Sequence, residues 1–218
     1  MHDSPIGLLL LLLVIAAVVA ALYFNPAAVI RRKLRAVPAV DIRSLRQGMR
    51  ARVRGTIAGS DGLLTAPLSG RRVAWYRATV SEHRKHGKRS HWHTIIEEER
   101  GQDFLLQDAT GQCKIRMDRA RVASNTDAAT RSGTFDDPSP DEQAFLDRYR
   151  RSSTGLFGLN RQLRYAEQVL EEGEAVTVLG RVTDIGTDSF GPSVAELGAD
   201  PELGLLVKNT LDTVELPP

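Results

Sequence analysis

Residues 6–24 run for nineteen positions without a charge or a proline, around an unbroken block of leucine at 8–13. As a helix rising about 1.5 Å per residue, the run reaches roughly 28 Å, close to the hydrocarbon thickness of a bilayer. It reads as a membrane anchor. Everything after it is polar, glycine-punctuated and mixed in charge, so the expected architecture is one helix in lipid and one water-soluble domain beside it. The competing reading is a cleaved signal peptide, which calls for a basic n-region and an apolar run of about 7 to 15 residues. Residues 1–5 carry Asp3 and no Lys or Arg, and the run continues through Ala21, Leu22 and Tyr23 past the weak cleavage signal at Val18 and Ala20. Retention is therefore expected. Arg31, Arg32, Lys33 and Arg35 follow the anchor closely, and the positive-inside rule puts the C-terminal domain in the cytoplasm and the N-terminus outside.

The formal net charge of +2 hides an asymmetry. Residues 31–54 hold nine Lys or Arg against Asp41 alone, whereas residues 167–215 hold eleven acids against Arg181 and Lys208. The basic end is the membrane-proximal end. Cys113 is the single cysteine, so no intramolecular disulfide can form, which fits a reducing compartment.

Asn25-Pro26 is a helix-start pair, and Ile30, Leu34 and Val37 at helical spacing predict a short amphipathic helix ending before Pro38. With Arg31, Arg32, Lys33 and Arg35 beside them, these residues are expected at the membrane surface, where each cation near an anionic leaflet contributes about 1 kcal/mol. Purely topogenic charge is the other account of the same arginines. Nucleic acid is not expected, since no aromatic platform accompanies them. Beyond Gln47 the period becomes two. Strands are predicted at 52–57, 72–80, 92–99, 103–107 and 112–117, with a tight hairpin at Asp108-Ala109-Thr110-Gly111 and turns at 59–62 and 67–70. Residues 123–139 read as a mobile excursion, and Ser139-Pro140-Asp141-Glu142 is a capping-box signature opening a helix through Phe145 and Tyr149. Strands resume at 163–169 and 175–183, and 205–207 offers a closing strand. Glycine in the middle of both 53–57 and 178–182 suggests the bent strands of a small barrel.

The expected fold is therefore mainly β, an antiparallel, small, barrel-like (OB-like) domain with one or two short helices, preceded by a transmembrane helix. The segments are an anchor at 1–25, a basic juxtamembrane stretch at 26–47, a β domain at 48–208 containing the excursion 123–139, and a tail at 209–218.

Certain blocks carry a resemblance. Pro67-Leu68-Ser69-Gly70 with Trp75-Tyr76-Arg77, Phe104-Leu105-Leu106 leading to Asp108 and Gly111, and Arg164-Tyr165-Ala166-Glu167 leading to Gly173-Glu174 and Val178-Leu179-Gly180 resemble the GIDE-type, or beside-a-membrane, domain over roughly 49–207. That domain occurs in mitochondrial membrane E3 ubiquitin ligases and in bacterial membrane proteins. The resemblance marks Trp75, Tyr76, Asp108, Gly111, Arg164, Tyr165, Glu167 and Gly180 as family-motif positions. In the ligases, ubiquitin transfer depends on a RING that binds two zinc ions through many cysteines and histidines. Residues 1–218 offer one cysteine, and no second transmembrane helix of the kind many relatives have after the domain.

Few residues invite chemistry. His83, His86, His91 and His93 fall in one polar hairpin and could be metal ligands, but Arg84, Lys85, Lys88 and Arg89 surround them with positive charge, so a solvated basic loop is the expectation and no metal or other cofactor is assigned. Cys113 lies in an alternating strand and reads as a packed side chain rather than a nucleophile. Glu97, Glu98 and Glu99 alternate across a strand, and no phosphate loop, nucleophile elbow or His-Glu-x-x-His occurs. Tyr165 and Glu167 share one strand face while Arg164 points to the other, so structural hydrogen bonding is expected of them. The function expected is that of a non-catalytic binding or scaffold module at the membrane, with a cytoplasmic or membrane protein as partner. An E3 ubiquitin ligase-like role, or that of another enzyme component, is the alternative.

Overall fold

Strand β1 (Arg50–Ala58) shows the alternation that builds the domain: Ala51, Val53 and Ile57 point into a core, and Arg52, Arg54 and Thr56 point away from it. The computed structural model describes residues 5–58, 62–87, 89–124, 128–132, 137–153, 161–186 and 194–209. Four more strands close a ring with β1. These are β5 (Phe104–Asp108), β6 (Gly111–Ile115), β10 (Ala175–Ile185) and β11 (Ala195–Gly198). β1 pairs with β5 and β10, β5 with β6, β6 with β11 and β11 with β10, so the five-stranded barrel has no open seam. Val53, Ile57, Phe104, Leu106, Ile115, Val178 and Leu197 fill it. The barrel-like expectation is met, and the pattern of five strands in Greek-key order is that of an OB-type barrel.

The sheet is not wholly antiparallel as expected. β11 runs parallel to β6, and β12 (Leu205–Asn209) runs parallel to β7 (Ala120–Ala123). Alternation within a strand says nothing about the direction of its neighbour, which explains the miss. β11 was also hidden, because it lies inside a glycine-rich stretch that reads locally as loop. One edge of β10 takes β1, while the other takes β11 along its second half and β12 along its first. Gly180 sits at that crossing. A Cβ there would lie 2.4 Å from the carbonyl oxygen of Gly198 and 2.8 Å from Leu205 Cδ1, and one at Gly55 would lie 2.4 Å from the carbonyl oxygen of Gln107. The two glycines are required because neighbouring backbone passes too close for a side chain.

The second sheet is built on β3 (Arg72–His86), with β4 (Arg89–Gly101) and the two-residue β2 (Leu64–Thr65) along one edge and β9 (Leu163–Glu171), then β8 (Ala128–Ser132), along the other. β3 and β4 extend beyond the 72–80 and 92–99 expected. β8 falls inside 123–139, so part of the expected excursion is a paired strand; the rest of that stretch is only partly described, and the 59–62 turn lies mostly outside the described residues. Ala74, Trp75 and Leu170 reach the barrel core, whereas Tyr76, Ala78, Val80 and Tyr165 form a separate core under α3 (Pro140–Arg148) through Phe145 and Leu146. The predicted capping box is present. Ser139 Oγ accepts from the backbone N–H of Glu142, and Glu142 Oε2 accepts from the N–H of Ser139.

At the N-terminus, α1 (Pro5–Tyr23) is helical over the apolar run. Among the described residues no helix is long and apolar enough to cross a membrane, the side chains of α1 being described only at 9, 11–18, 20 and 23. The transmembrane expectation thus rests on the sequence. α2 (Pro26–Arg35) corrects another expectation: Ile30 and Leu34 are buried against Ala123, Leu179 and Leu206, so the apolar stripe of this helix is spent on the β domain and is not available to lipid. Arg52 Nη1 donates to the carbonyl of Leu34 at 2.9 Å, closing the last turn of α2 onto β1. A 3-10 turn at Ile42–Ser44, unforeseen from the pattern, follows.

Candidate functional site

Asp108 ends β5 and organises one end of the barrel. Its Oδ1 accepts from the N–H of Thr110 at 2.6 Å, the Thr110 hydroxyl at 2.6 Å and the N–H of Gly111 at 3.0 Å, while Oδ2 accepts from the N–H of Ile42 at 2.8 Å. The hairpin turn is therefore stapled to the 3-10 turn. Burial alone would raise the Asp108 carboxyl, but the hydrogen bonds from Thr110, Ile42 and Gly111 outweigh it and hold the group below the usual carboxylate range. Around this staple lie two clefts. One, of about 480 Å³, is lined by Ile42, Leu45, Ile185, Val194 and Ala195, with Arg43, Arg46, Thr110 and Gln112 at its polar margin. The other, of about 250 Å³, is lined by Val40, Asp41, Arg54, Ala109 and Thr110. Arg43 and Arg46 are exposed, whereas Ile42 and Leu45 are buried, so the larger cleft sets cationic side chains beside an apolar floor. Its described lining residues include no carboxylate, histidine or cysteine. Such a surface can bind an anionic, partly apolar ligand.

The other family-motif positions hold the fold. Trp75 is buried and donates from Nε1 to Glu99 Oε1 at 3.0 Å. Tyr76 donates to Glu98 Oε1 at 2.5 Å, and Tyr149 to Glu98 Oε2 at 2.6 Å, with Arg100 and Arg148 at 2.8 and 3.3 Å from the same carboxylate. This cluster ties the end of α3 to the sheet. Burial and the Glu98 carboxylate push the Tyr76 phenol up to about 12; for Glu98, burial raises its value, but the two hydroxyls and two guanidiniums more than reverse this and leave it lowered. Glu167 is fully buried and accepts from the N–H of Leu68 at 2.8 Å, pinning the 67–70 turn, and Tyr165 beside it is also buried. Arg164 lies on the opposite face, as its parity required, 4.4 Å over the Trp92 ring. Gly111 lies at the turn held by Asp108, and Gly180 serves the barrel crossing.

His83 lies apart from His91 and His93. His91 and His93 pair with Arg84 and Glu82 of β3, whereas His83 pairs with Trp92 and stacks against it at 5.1 Å, on the other face; the side chain of His86 lies outside the described residues. Among the described residues no group of His, Cys, Asp or Glu is placed to hold a metal. Cys113 is buried in the barrel, and that burial pushes its thiol up to about 12, which leaves it protonated and unreactive near neutrality. The cleft arginines Arg43 and Arg46 and the acid Asp200 were missed as site or fold residues. Asp200 lies in the glycine-rich 185–203 stretch, yet it receives Arg50 through two bonds of 2.9 Å and Arg181 at 3.0 Å. Its one local signal is the Asx-turn bonding to the N–H of Glu202 and Leu203, a habit of Asp in loops.

No curated protein and no solved structure matches the chain. A family model described as GIDE, E3 ubiquitin ligase, matches residues 76–191, just over half of the 218 residues, from early in β3 to the segment before β11. Tyr76, Asp108 and Glu167 themselves fall inside it, while two of the groups that bind them, the N–H of Ile42 and of Leu68, lie before it, and the chain belongs to the GIDE family.

Proposed function

We propose that this chain is a membrane-tethered, non-catalytic binding module. In this reading α1 lies in the bilayer with the N-terminus outside, and the β domain stands on the cytoplasmic side and recruits a cytoplasmic or membrane protein at the barrel-end cleft. The observation that supports it is that, among the described residues, the buried groups best suited to chemistry are engaged in or enclosed by the fold. Glu98, Asp108 and Glu167 accept structural hydrogen bonds, Cys113 is sealed in the barrel, and the open cleft presents guanidiniums over an apolar floor. A cleft of that size and lining suits an extended protein segment with an acidic side chain next to an aliphatic one. The charge-free run at 6–24 and the cations that follow it support the anchoring and the orientation.

Proximity labelling from the full chain in its native cell tests the recruiting role. Replacing Arg43 and Arg46 together by Glu is expected to remove a defined subset of labelled neighbours while the protein stays in the carbonate-resistant membrane fraction. Unchanged neighbours would remove the cleft from the account, and a tag after Pro218 digested from outside intact cells would reverse the orientation. Family membership favours a second reading, a component of ubiquitin transfer. Residues 1–218, with one cysteine, do not by themselves assemble a two-zinc RING. Chain formation by the purified protein with only activating and conjugating enzymes present would decide for autonomous activity.

A further inference from the structure

One face of the molecule gathers cations from three separate parts of the chain. Period-two alternation puts Arg121 on the same side of β7 as Ala123, and Lys208 on the same side of β12 as Leu206. Ala123 and Leu206 are the residues that pack against Ile30 and Leu34, so Arg121 and Lys208 emerge beside α2. Leu206 lies opposite Arg121, and Lys208 opposite Ala123, which sets the two cations on neighbouring strands. On α2 itself Arg31 and Arg35 are exposed and Lys33 is half-buried. None of these five takes part in an ion pair among the described residues, whereas Arg43, Arg50, Arg77, Arg100, Lys114, Arg116, Arg148 and Arg181 elsewhere all do. A face of like charges held together by the fold, with no ion pair of its own among the described residues, attracts an external anion.

The position of the face selects the anion. Arg32 donates to the carbonyl of Tyr23 at 3.0 Å and lies 3.7 Å over the Tyr23 ring, so α2 starts where α1 ends, and at ten residues it is about 15 Å long. We propose that α2, β7 and β12 together form a binding surface for the anionic phospholipid headgroups of the bilayer that α1 enters. This rests on the anchored reading given above. Topogenic charge accounts for Arg31, Lys33 and Arg35, which lie close to the anchor in sequence, but not for Arg121 and Lys208, which reach this face only through folding. A nucleic-acid ligand is disfavoured because α2, β7 and β12 contain no aromatic residue on which bases could stack.

The test uses the full chain in nanodiscs of phosphatidylcholine alone or with added phosphatidylglycerol, read by hydrogen exchange of α2 and β7 amides. With several cations each adding about a fivefold preference for an anionic surface, exchange is expected to be at least about tenfold slower in the anionic discs. Arg121→Glu with Lys208→Glu should abolish most of that difference, and raising the salt on the wild-type chain should do the same without any substitution. Equal rates in the two lipids would overturn the proposal, as would a difference that survives high salt. Slowing by single-stranded RNA in neutral discs, matching that seen with phosphatidylglycerol, would also overturn it, in favour of nucleic acid. A chain that carbonate strips from both discs refutes the anchored reading and this inference with it. A chain retained in both with identical exchange refutes only the inference.

Discussion

Removing residues 1–37 takes away more than the proposed anchor. α2 covers Leu179 and Leu206, both fully buried, with Ile30 and Leu34, which are only 5% and 4% exposed. Leu34→Ala in such a setting costs about 2 to 5 kcal/mol, and Ile30→Ala is of the same order. Deleting the helix removes both side chains, uncovers Leu179 and Leu206, and leaves the Arg52 guanidinium without the Leu34 carbonyl. The two side chains alone amount to about 4 to 10 kcal/mol, against a total stability of about 5 to 15 for an ordinary domain. The fragment 26–218 is therefore expected to fold and melt cooperatively, and the fragment 38–218 to be marginal or aggregated. Leu34→Ala in the longer fragment should lower the melting temperature by roughly 5 to 15 °C. Thermal melts followed by circular dichroism on the three proteins measure this. If 38–218 melts within about 2 °C of 26–218, α2 is not part of the domain and the packing argument fails.

Asp200 should give an acid-sensitive clasp. Its carboxylate is held well below the usual range, first by the hydrogen bonds from Arg50 and then, against the opposing effect of burial, by the N–H groups of Glu202 and Leu203. A depressed carboxyl contributes stability that is fully present above its unfolded value near 4 and is lost as the pH falls below it. Melting temperatures at pH 7 and pH 3 should thus differ less for Asp200→Asn than for the wild type, and an equal difference would contradict the clasp. Gly180→Ala places a methyl against the Gly198 carbonyl and Leu205, so it should cost about 2 kcal/mol or more in urea unfolding; a neutral result would show that the crossing can open. Glu98→Gln should weaken the Tyr76–Tyr149 latch and speed hydrogen exchange in α3 while leaving β1 and β10 unchanged; uniform acceleration in all three would make Glu98 a general stability residue. The purified chain should carry no stoichiometric zinc and should melt identically with and without a chelator, because His83 lies on the opposite sheet face from His91 and His93; one tightly held zinc lost on changing His91 and His93 would refute that.

Much of this protein was settled by local rules. Alternation placed most strands, Ser139 and Glu142 announced the start of α3, and the two mid-strand glycines announced the bent strands of a barrel, because each signal is written within a few neighbouring residues. The apolar run at 6–24 is different: its reading as an anchor comes from composition alone and stays part of the proposal. Tertiary structure decided what no window of the chain contains. The parallel pairings of β6 with β11 and β7 with β12, the strand hidden at 195–198, and the joining of Arg50 and Arg181 to Asp200 all depend on partners many residues away. The stripe of Ile30 and Leu34 shows the reason most directly. An amphipathic helix needs an apolar surface to cover, and its sequence is the same whether that surface is a lipid layer or a sheet. Only the fold supplied Leu179 and Leu206 as the surface here, and in doing so it left the cations of α2 on the face to which Arg121 and Lys208 are also brought.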